Sequence, residues 1–156
     1  MKKAVHLVIC VILCLFIGGI GGTLTAAGNN EWTSSLKTPD FSPPAYLFIF
    51  VWPILYALMG YSIHVILLSP KTKIRNIGII IFALQFSLNF FWNFLFFKFH
   101  ALGISSIEII LLWLTILFMI IIFRKINKIA AYIQIPYLIW ISFASILTGS
   151  IWYLNN

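Results

Sequence analysis

Acidic residues are nearly missing from this chain. Three Asp or Glu stand against ten Lys or Arg in 156 residues, and charged residues of all kinds make up 8%. No pair of carboxylates stands ready for general acid–base work, and no acid–base constellation is visible elsewhere. Cysteine is also scarce. Cys10 and Cys14 are the only two, one helical turn apart, a spacing that does not suit a disulfide. They read as packing groups and imply no redox compartment. His64 has no second His or Cys at ligand spacing, so no metal site is expected. Polar stretches are short, which leaves no room for a separate soluble domain.

What is present is apolar surface. Hydrophobic residues make up 62% of the chain, and the mean hydropathy is +1.07. A soluble domain of this length cannot hide that much, so the expected class is an all-α integral membrane protein. A span needs roughly 20 apolar residues. Five fit, at about 4–25, 44–68, 77–97, 103–123 and 129–153, giving one five-helix bundle over 1–156. Lys2-Lys3, the first apolar run and Thr25-Ala26-Ala27 have the outline of a secretory leader. The run exceeds the ~7–15 residues usual for such a leader, so it is expected to stay as a span.

The net charge of +7 is a topology signal rather than a nucleic-acid footprint. With five spans, the N-terminus and the 69–76 and 124–128 loops share a side. They carry Lys2, Lys3, Lys71, Lys73, Arg75, Arg124, Lys125 and Lys128, eight of the ten basic residues. The N-terminus is therefore expected inside and the C-terminus outside.

The stretch FSPPAYLFIFVWPILYALMGY, residues 41–61, organises the rest. Pro43-Pro44 reads as a helix start. Pro53 lies inside the span and is expected to kink it beside Trp52. Trp52, Tyr56 and Met59 fall near one face. In span one, Gly18 and Gly22 form a GxxxG, either for close packing within the bundle or for a dimer seam. The polar connection 28–43 carries Trp32, which reads as a lid residue or an interfacial anchor.

Gln85, Asn89 and Asn93 lie at i, i+4 and i+8, one polar stripe expected to face the interior as interhelical glue or ligand contact. Trp92 lies near that stripe. Glu108, early in span four, is open between a function and a structural role such as pairing with Lys98. In span five, Trp140, Phe143, Ala144 and Leu147 share a face.

Depths agree. Trp52 and Asn89 each lie about eight residues, roughly 12 Å, from the outer ends of their spans, and Ala144 lies at a similar level. The pattern predicts an aromatic-walled pocket with a few amides, opening outward beneath the first connection and suited to a flat hydrophobic ligand. Aromatics that simply fill the core are the alternative.

These residues resemble the translocator protein family (TspO, the tryptophan-rich sensory protein or peripheral-type benzodiazepine receptor). The likeness runs through Gly18 and Gly22; Trp32, Leu36 and Pro39; Pro43-Pro44; Trp52, Tyr56, Met59, Gly60 and Tyr61; Gln85, Leu88, Asn89 and Trp92; Gly103 and Glu108; and Pro136-Tyr137-Leu138, Trp140, Phe143-Ala144 and Leu147. It implies a five-helix bundle, often a homodimer, that binds protoporphyrin IX and related tetrapyrroles, and isoquinoline carboxamide and benzodiazepine drugs.

The resemblance further implies light- and oxygen-dependent degradation of the bound porphyrin, with Trp52 and Trp140 as the candidate catalytic pair. Residues and resemblance together give a candidate ligand-binding set of Gly22, Thr23, Trp32, Pro43, Phe48, Trp52, Tyr56, Gln85, Asn89, Trp92, Ile107, Trp140, Phe143, Ala144 and Leu147. No metal or cofactor is expected; the porphyrin is ligand or substrate.

Two positions depart from the family pattern. Ile104 stands where many members have tryptophan, and Phe41 stands where an aromatic Trp is usual. After Tyr153 only Leu154-Asn155-Asn156 follows, so the sterol motif is incomplete and sterol binding is not carried over. Composition fits a bacterial plasma membrane. The alternative function is a transporter of porphyrins or other small hydrophobic molecules, although the special residues cluster in one half and no inverted repeat is visible.

Overall fold

The computed structural model describes residues 2–27 and 31–156. Helices account for nearly all of it, and no strand occurs among the described residues. Helix α1 is Lys2–Ala27 and α2 is the short turn Glu31–Ser35. Helix α3 is Ala45–Leu68, α4 is Lys73–Asn93 with a π-helical end at Phe94–Lys98, and α5 is Leu102–Ile126. Helix α6 is Lys128–Tyr132 and α7 is Ile135–Leu154.

Local chemistry sets most of these limits. Helix α3 starts directly after Pro44, whose extended backbone precedes the first turn. It ends at Ser69 before Pro70, where Arg75 donates from Nε to the Ile66 carbonyl at 3.2 Å and from Nη2 to the Leu67 carbonyl at 2.9 Å. A cation there meets the negative end of the helix and fills its orphan acceptors. Thr72 caps α4 by accepting from the Arg75 amide, and Asn127 caps α6 by accepting from the Ile129 and Ala130 amides. Both are preferred cap residues because their oxygens reach the unpaired first-turn amides.

Two spans carry an internal proline region whose local structure differs. The span expected at about 129–153 runs over Lys128–Leu154, with a turn at residues 133–134 between α6 and α7. Pro136 is the cause: it sits in the first turn of α7, where its missing amide costs nothing. Pro53, the residue expected to kink its helix, lies inside α3, which continues through it to Leu68.

Packing runs in a chain of neighbours. Helix α1 lies on α3, α4 on α5, and α5 on α7, with α6 folded against α3 and α5. The core between them holds Met59, Ile66, Ile116, Met119, Phe123 and Tyr137, all fully enclosed. The outward faces are just as apolar. Phe16 is 66% exposed, Ile49 70% and Ile80 66%, and exposed Ile, Leu and Phe recur along every long helix. Five helices are long and apolar enough to cross a membrane. Apolar residues on both inner and outer faces are what a bundle solvated by hydrocarbon requires. The chain is an integral membrane protein.

Candidate ligand cavity

The upper halves of the helices separate around a cavity of about 590 Å³. Every long helix contributes. Gly18, Gly19 and Gly22 of α1 form one wall, and a Cβ added at Gly19 or Gly22 would meet nothing within 4 Å. Phe48, Trp52 and Tyr56 of α3 form the next. Asn89, Trp92 and Asn93 of α4, Ile109 and Leu112 of α5, and Trp140, Ala144 and Leu147 of α7 complete it. Thr33, Leu36, Thr38, Ser42 and Pro43 of the connection close the end.

The aromatic wall is a continuous set of contacts. Trp52 stacks on Tyr56 with centroids 5.4 Å apart. Trp140 meets Trp52 nearly at right angles at 6.5 Å, and Phe48 meets Trp140 edge-on at 5.4 Å. These offset and edge arrangements are the ones ring quadrupoles favour. Across the cavity, Trp92 stacks on Phe96 at 5.0 Å.

Beneath lies a polar floor. The Tyr56 hydroxyl donates to Asn89 Oδ1 at 2.7 Å, and Asn89 Nδ2 donates to the Tyr137 hydroxyl at 3.1 Å. The interior stripe expected from the sequence is therefore buried, with Gln85, Asn89 and Asn93 all facing inward. Asn89 ties three helices together. Trp92 and Trp140 have buried indole N–H groups without a partner among the described residues. Buried donors normally find an acceptor, so these two leave hydrogen-bonding capacity beside the cavity. Among the described residues, Tyr56 is the one titratable side chain lining it. The wall offers oxidisable rings, not an acid–base pair.

Of the candidate residues, Gly22, Pro43, Phe48, Trp52, Tyr56, Asn89, Trp92, Trp140, Ala144 and Leu147 line the cavity. Five do not. Thr23 is exposed and its hydroxyl bonds back to the Ile20 carbonyl. Gln85 is enclosed one turn below Asn89, under the polar floor, with neither amide atom partnered among the described residues. Phe143 sits behind the wall, between Trp140 and Phe41.

Trp32 stacks on His100 at 3.9 Å and meets Phe96 edge-on, so it anchors the connection over the α4–α5 turn. Ile107 is 64% exposed. It points away because two residues along a helix turn the side chain by about 200°; Ile109 is the one that faces the cavity.

Three further expectations change. Glu108 is not paired with Lys98. Both its carboxylate oxygens are buried and unpartnered among the described residues, while Lys98 Nζ lies over the Phe94 ring at 5.8 Å. His64 is not alone either: His6 and Cys10 lie beside it. Finally, the close helix approach expected of both Gly18 and Gly22 occurs at Gly18, packed under the Tyr56 ring, and at Gly60.

Residues 28–30 of the expected lid lie outside the described residues. The rest of the connection is tied down by a contact the sequence did not signal. The Lys37 amide donates to Asn155 Oδ1, and Asn155 Nδ2 donates to the Lys37 carbonyl, each at 2.9 Å. One amide side chain at the end of α7 thus pairs with both backbone groups of Lys37, as a neighbouring strand would.

This geometry has known relatives. The model of the TspO/MBR family matches residues 10–154. The chain belongs to the TspO/MBR family. It is 35% identical to the tryptophan-rich protein TspO of Chlorobaculum tepidum, over 99% of this chain and 98% of the relative. It is 31% identical to protein CrtK of Rhodobacter capsulatus, over 97% and 91% of the two chains. The translocator protein of Ovis aries is 30% identical over 89% of this chain and 84% of its own. Membership of TspO/MBR accounts for the five-helix membrane fold.

Proposed function

We propose that the chain is a membrane receptor for protoporphyrin IX and related tetrapyrroles, bound in the cavity between α1, α3 and α7, and that it degrades the bound porphyrin in light and oxygen. One observation carries this reading: a cavity of about 590 Å³ with a side-chain-free glycine wall and the indoles of Trp52 and Trp140 set across a corner. The volume is in the range of pockets that enclose cofactor-sized ligands, roughly 300–1,000 Å³. Glycines let a flat ring lie against backbone, and the indoles offer it π-faces. Isoquinoline carboxamide and benzodiazepine-type drugs, also flat and apolar, belong to the same proposal. So do a homodimeric assembly and a bacterial plasma membrane with the N-terminus inside.

Degradation needs no cofactor. Dioxygen is the oxidant: both its atoms add across one carbon–carbon double bond of the light-excited macrocycle, and that bond breaks to leave two carbonyls. Trp52 and Trp140 touch the ring, exchange an electron reversibly with its excited state, and hold it against the wall.

The test uses purified protein in detergent with protoporphyrin IX. Saturable fluorescence change in the dark, then light-dependent loss of the Soret band that a folded Trp52→Phe, Trp140→Phe double variant lacks, is the expected result. Binding without protein-dependent bleaching removes the degradation step. Absence of saturable binding removes the receptor. Porphyrin flux across proteoliposomes favours the transporter reading instead.

A further inference from the structure

The opposite end of the α1–α3 pair carries a second constellation, well below the cavity. The two helices meet closely at Gly60. A Cβ there would stand 2.5 Å from the Val11 Cα and 2.9 Å from the Cys10 carbonyl oxygen. No residue but glycine leaves room for that crossing. His64 is one turn beyond Gly60 on α3, and His6 and Cys10 are one turn apart on α1. Side chains at i and i+4 share a helix face, so the crossing brings all three together.

His6 Nδ1 lies 2.8 Å from His64 Nδ1, with the rings tilted at 45° and centroids 5.0 Å apart. Cys10 Sγ lies 3.8 Å from His6 Nδ1. One ligand atom from each of the three residues can be chosen so that all lie within 4.8 Å of one another. Cys10 and His64 are buried and His6 is half-buried. Both cysteines are free thiols. The chain's acids, Glu31, Asp40 and Glu108, belong to the opposite end of the bundle.

We propose that His6, Cys10 and His64 form a binding site for a soft or borderline d10 cation, Zn2+ or Cu+. The donor set decides the class. Two imidazoles and a thiolate suit these ions, whereas Mg2+ and Ca2+ favour all-oxygen sites with carboxylates, and the cluster of His6, Cys10 and His64 holds none. The spacing is close to what the ions demand. Zn–N bonds of about 2.0–2.1 Å and a Zn–S bond of about 2.3 Å at tetrahedral angles place the two nitrogens roughly 3.3 Å apart and sulfur roughly 3.6 Å from each. The histidines open by about half an ångström; the sulfur closes slightly on His6 and, from a separation of at most 4.8 Å, by up to about an ångström on His64, which side-chain rotation supplies.

Without metal, the close nitrogens share one hydrogen. With metal, that hydrogen moves to Nε2 of its own ring, the Cys10 thiol gives its proton to solvent, and both Nδ1 atoms and Sγ ligate. Three protein ligands satisfy trigonal Cu+ and leave Zn2+ a fourth position for water. The bound ion would staple α1 to α3, with Gly60 as a positioning residue.

The experiment uses the full chain without a polyhistidine tag, in detergent and stripped with chelator. Co2+ probes the Zn2+ form, and Cu+ is titrated against a chromophoric chelator. The expected result is uptake of one ion per chain, with thiolate-to-cobalt charge-transfer absorption that Zn2+ displaces, or chelator-competing uptake of Cu+. Either outcome supports the site and names the ion.

Cys10→Ser abolishes the charge-transfer band. His64→Gln weakens affinity by about tenfold or more, since even outer-shell changes cost that much. Cys14→Ser leaves uptake unchanged. Equal uptake by wild type, Cys10→Ser and His64→Gln overturns the proposal, as does no saturable uptake of either ion. Should the variants not fold, X-ray absorption of the zinc-loaded wild type decides. A sulfur neighbour at about 2.3 Å supports the site, and a shell of nitrogen and oxygen alone overturns it.

Discussion

Asn89 holds more of this protein together than its size suggests. Its amide accepts from Tyr56 and donates to Tyr137, joining α3, α4 and α7 under the cavity. In hydrocarbon no water replaces a lost partner. Asn89→Leu keeps the volume but strands two buried hydroxyls at once. It is expected to destabilise the bundle by about 1–3 kcal/mol, the cost of buried polar groups left unpaired. Tyr56→Phe removes one donor and leaves Asn89 its other contact. It is expected to cost only about 0.6 kcal/mol, the average for interhelical hydrogen bonds in membranes. Thermal unfolding in one detergent, with both variants side by side, measures the difference. Equal losses would mean that the chain Tyr56–Asn89–Tyr137 is not held as a unit.

Helices here are separated or joined by their glycines. Gly60 and Gly22 lie on α3 and α1 and look alike in sequence, but only Gly60 is crowded. Gly60→Ala must push α1 away from α3 and is expected to cost about 1–3 kcal/mol, as overpacking does. Gly22→Ala meets open space and is expected to stay within about 0.5 kcal/mol of wild type. Melting temperatures of the two variants test this, and a destabilised Gly22→Ala would refute the open wall.

The contrast also marks what sequence can and cannot tell. Helix existence was legible, because hydrophobic length alone identifies a span. The buried stripe at Gln85, Asn89 and Asn93 was legible because amides avoid hydrocarbon. The faces of α5 were not. Nearly every position there is apolar, so nothing in the pattern separated Ile107, which faces out, from Ile109, which faces the cavity. The turn before α7 has a sequence signal in Pro136, which sits in the first turn of that helix. The approach of His6 to His64 was hidden for another reason: they are 58 residues apart, and only the helix crossing makes them neighbours.

At the scale of the whole molecule, charge and cavity are arranged along one axis. Eight of the ten basic residues belong to the end that holds the N-terminus and the 69–76 and 124–128 connections. The cavity and the clamp between Lys37 and Asn155 belong to the other end. On the positive-inside bias, the cavity is expected to face the outer leaflet, because basic loops favour the cytoplasmic side during insertion. The expected orientation is N-terminus inside, C-terminus and cavity outside.

A reporter that folds only outside the cytoplasm, fused after Asn156, is expected to be active, and the same reporter within 71–74 inactive. Exchanging the bias should invert the pattern. Lys71, Lys73 and Arg75 replaced by Gln, with three lysines added to the 28–43 connection, should weaken or reverse reporter activity without touching a residue that lines the cavity. If the original chain instead gives an inactive C-terminal reporter, the cavity faces the cytoplasm, and its ligand must come from there.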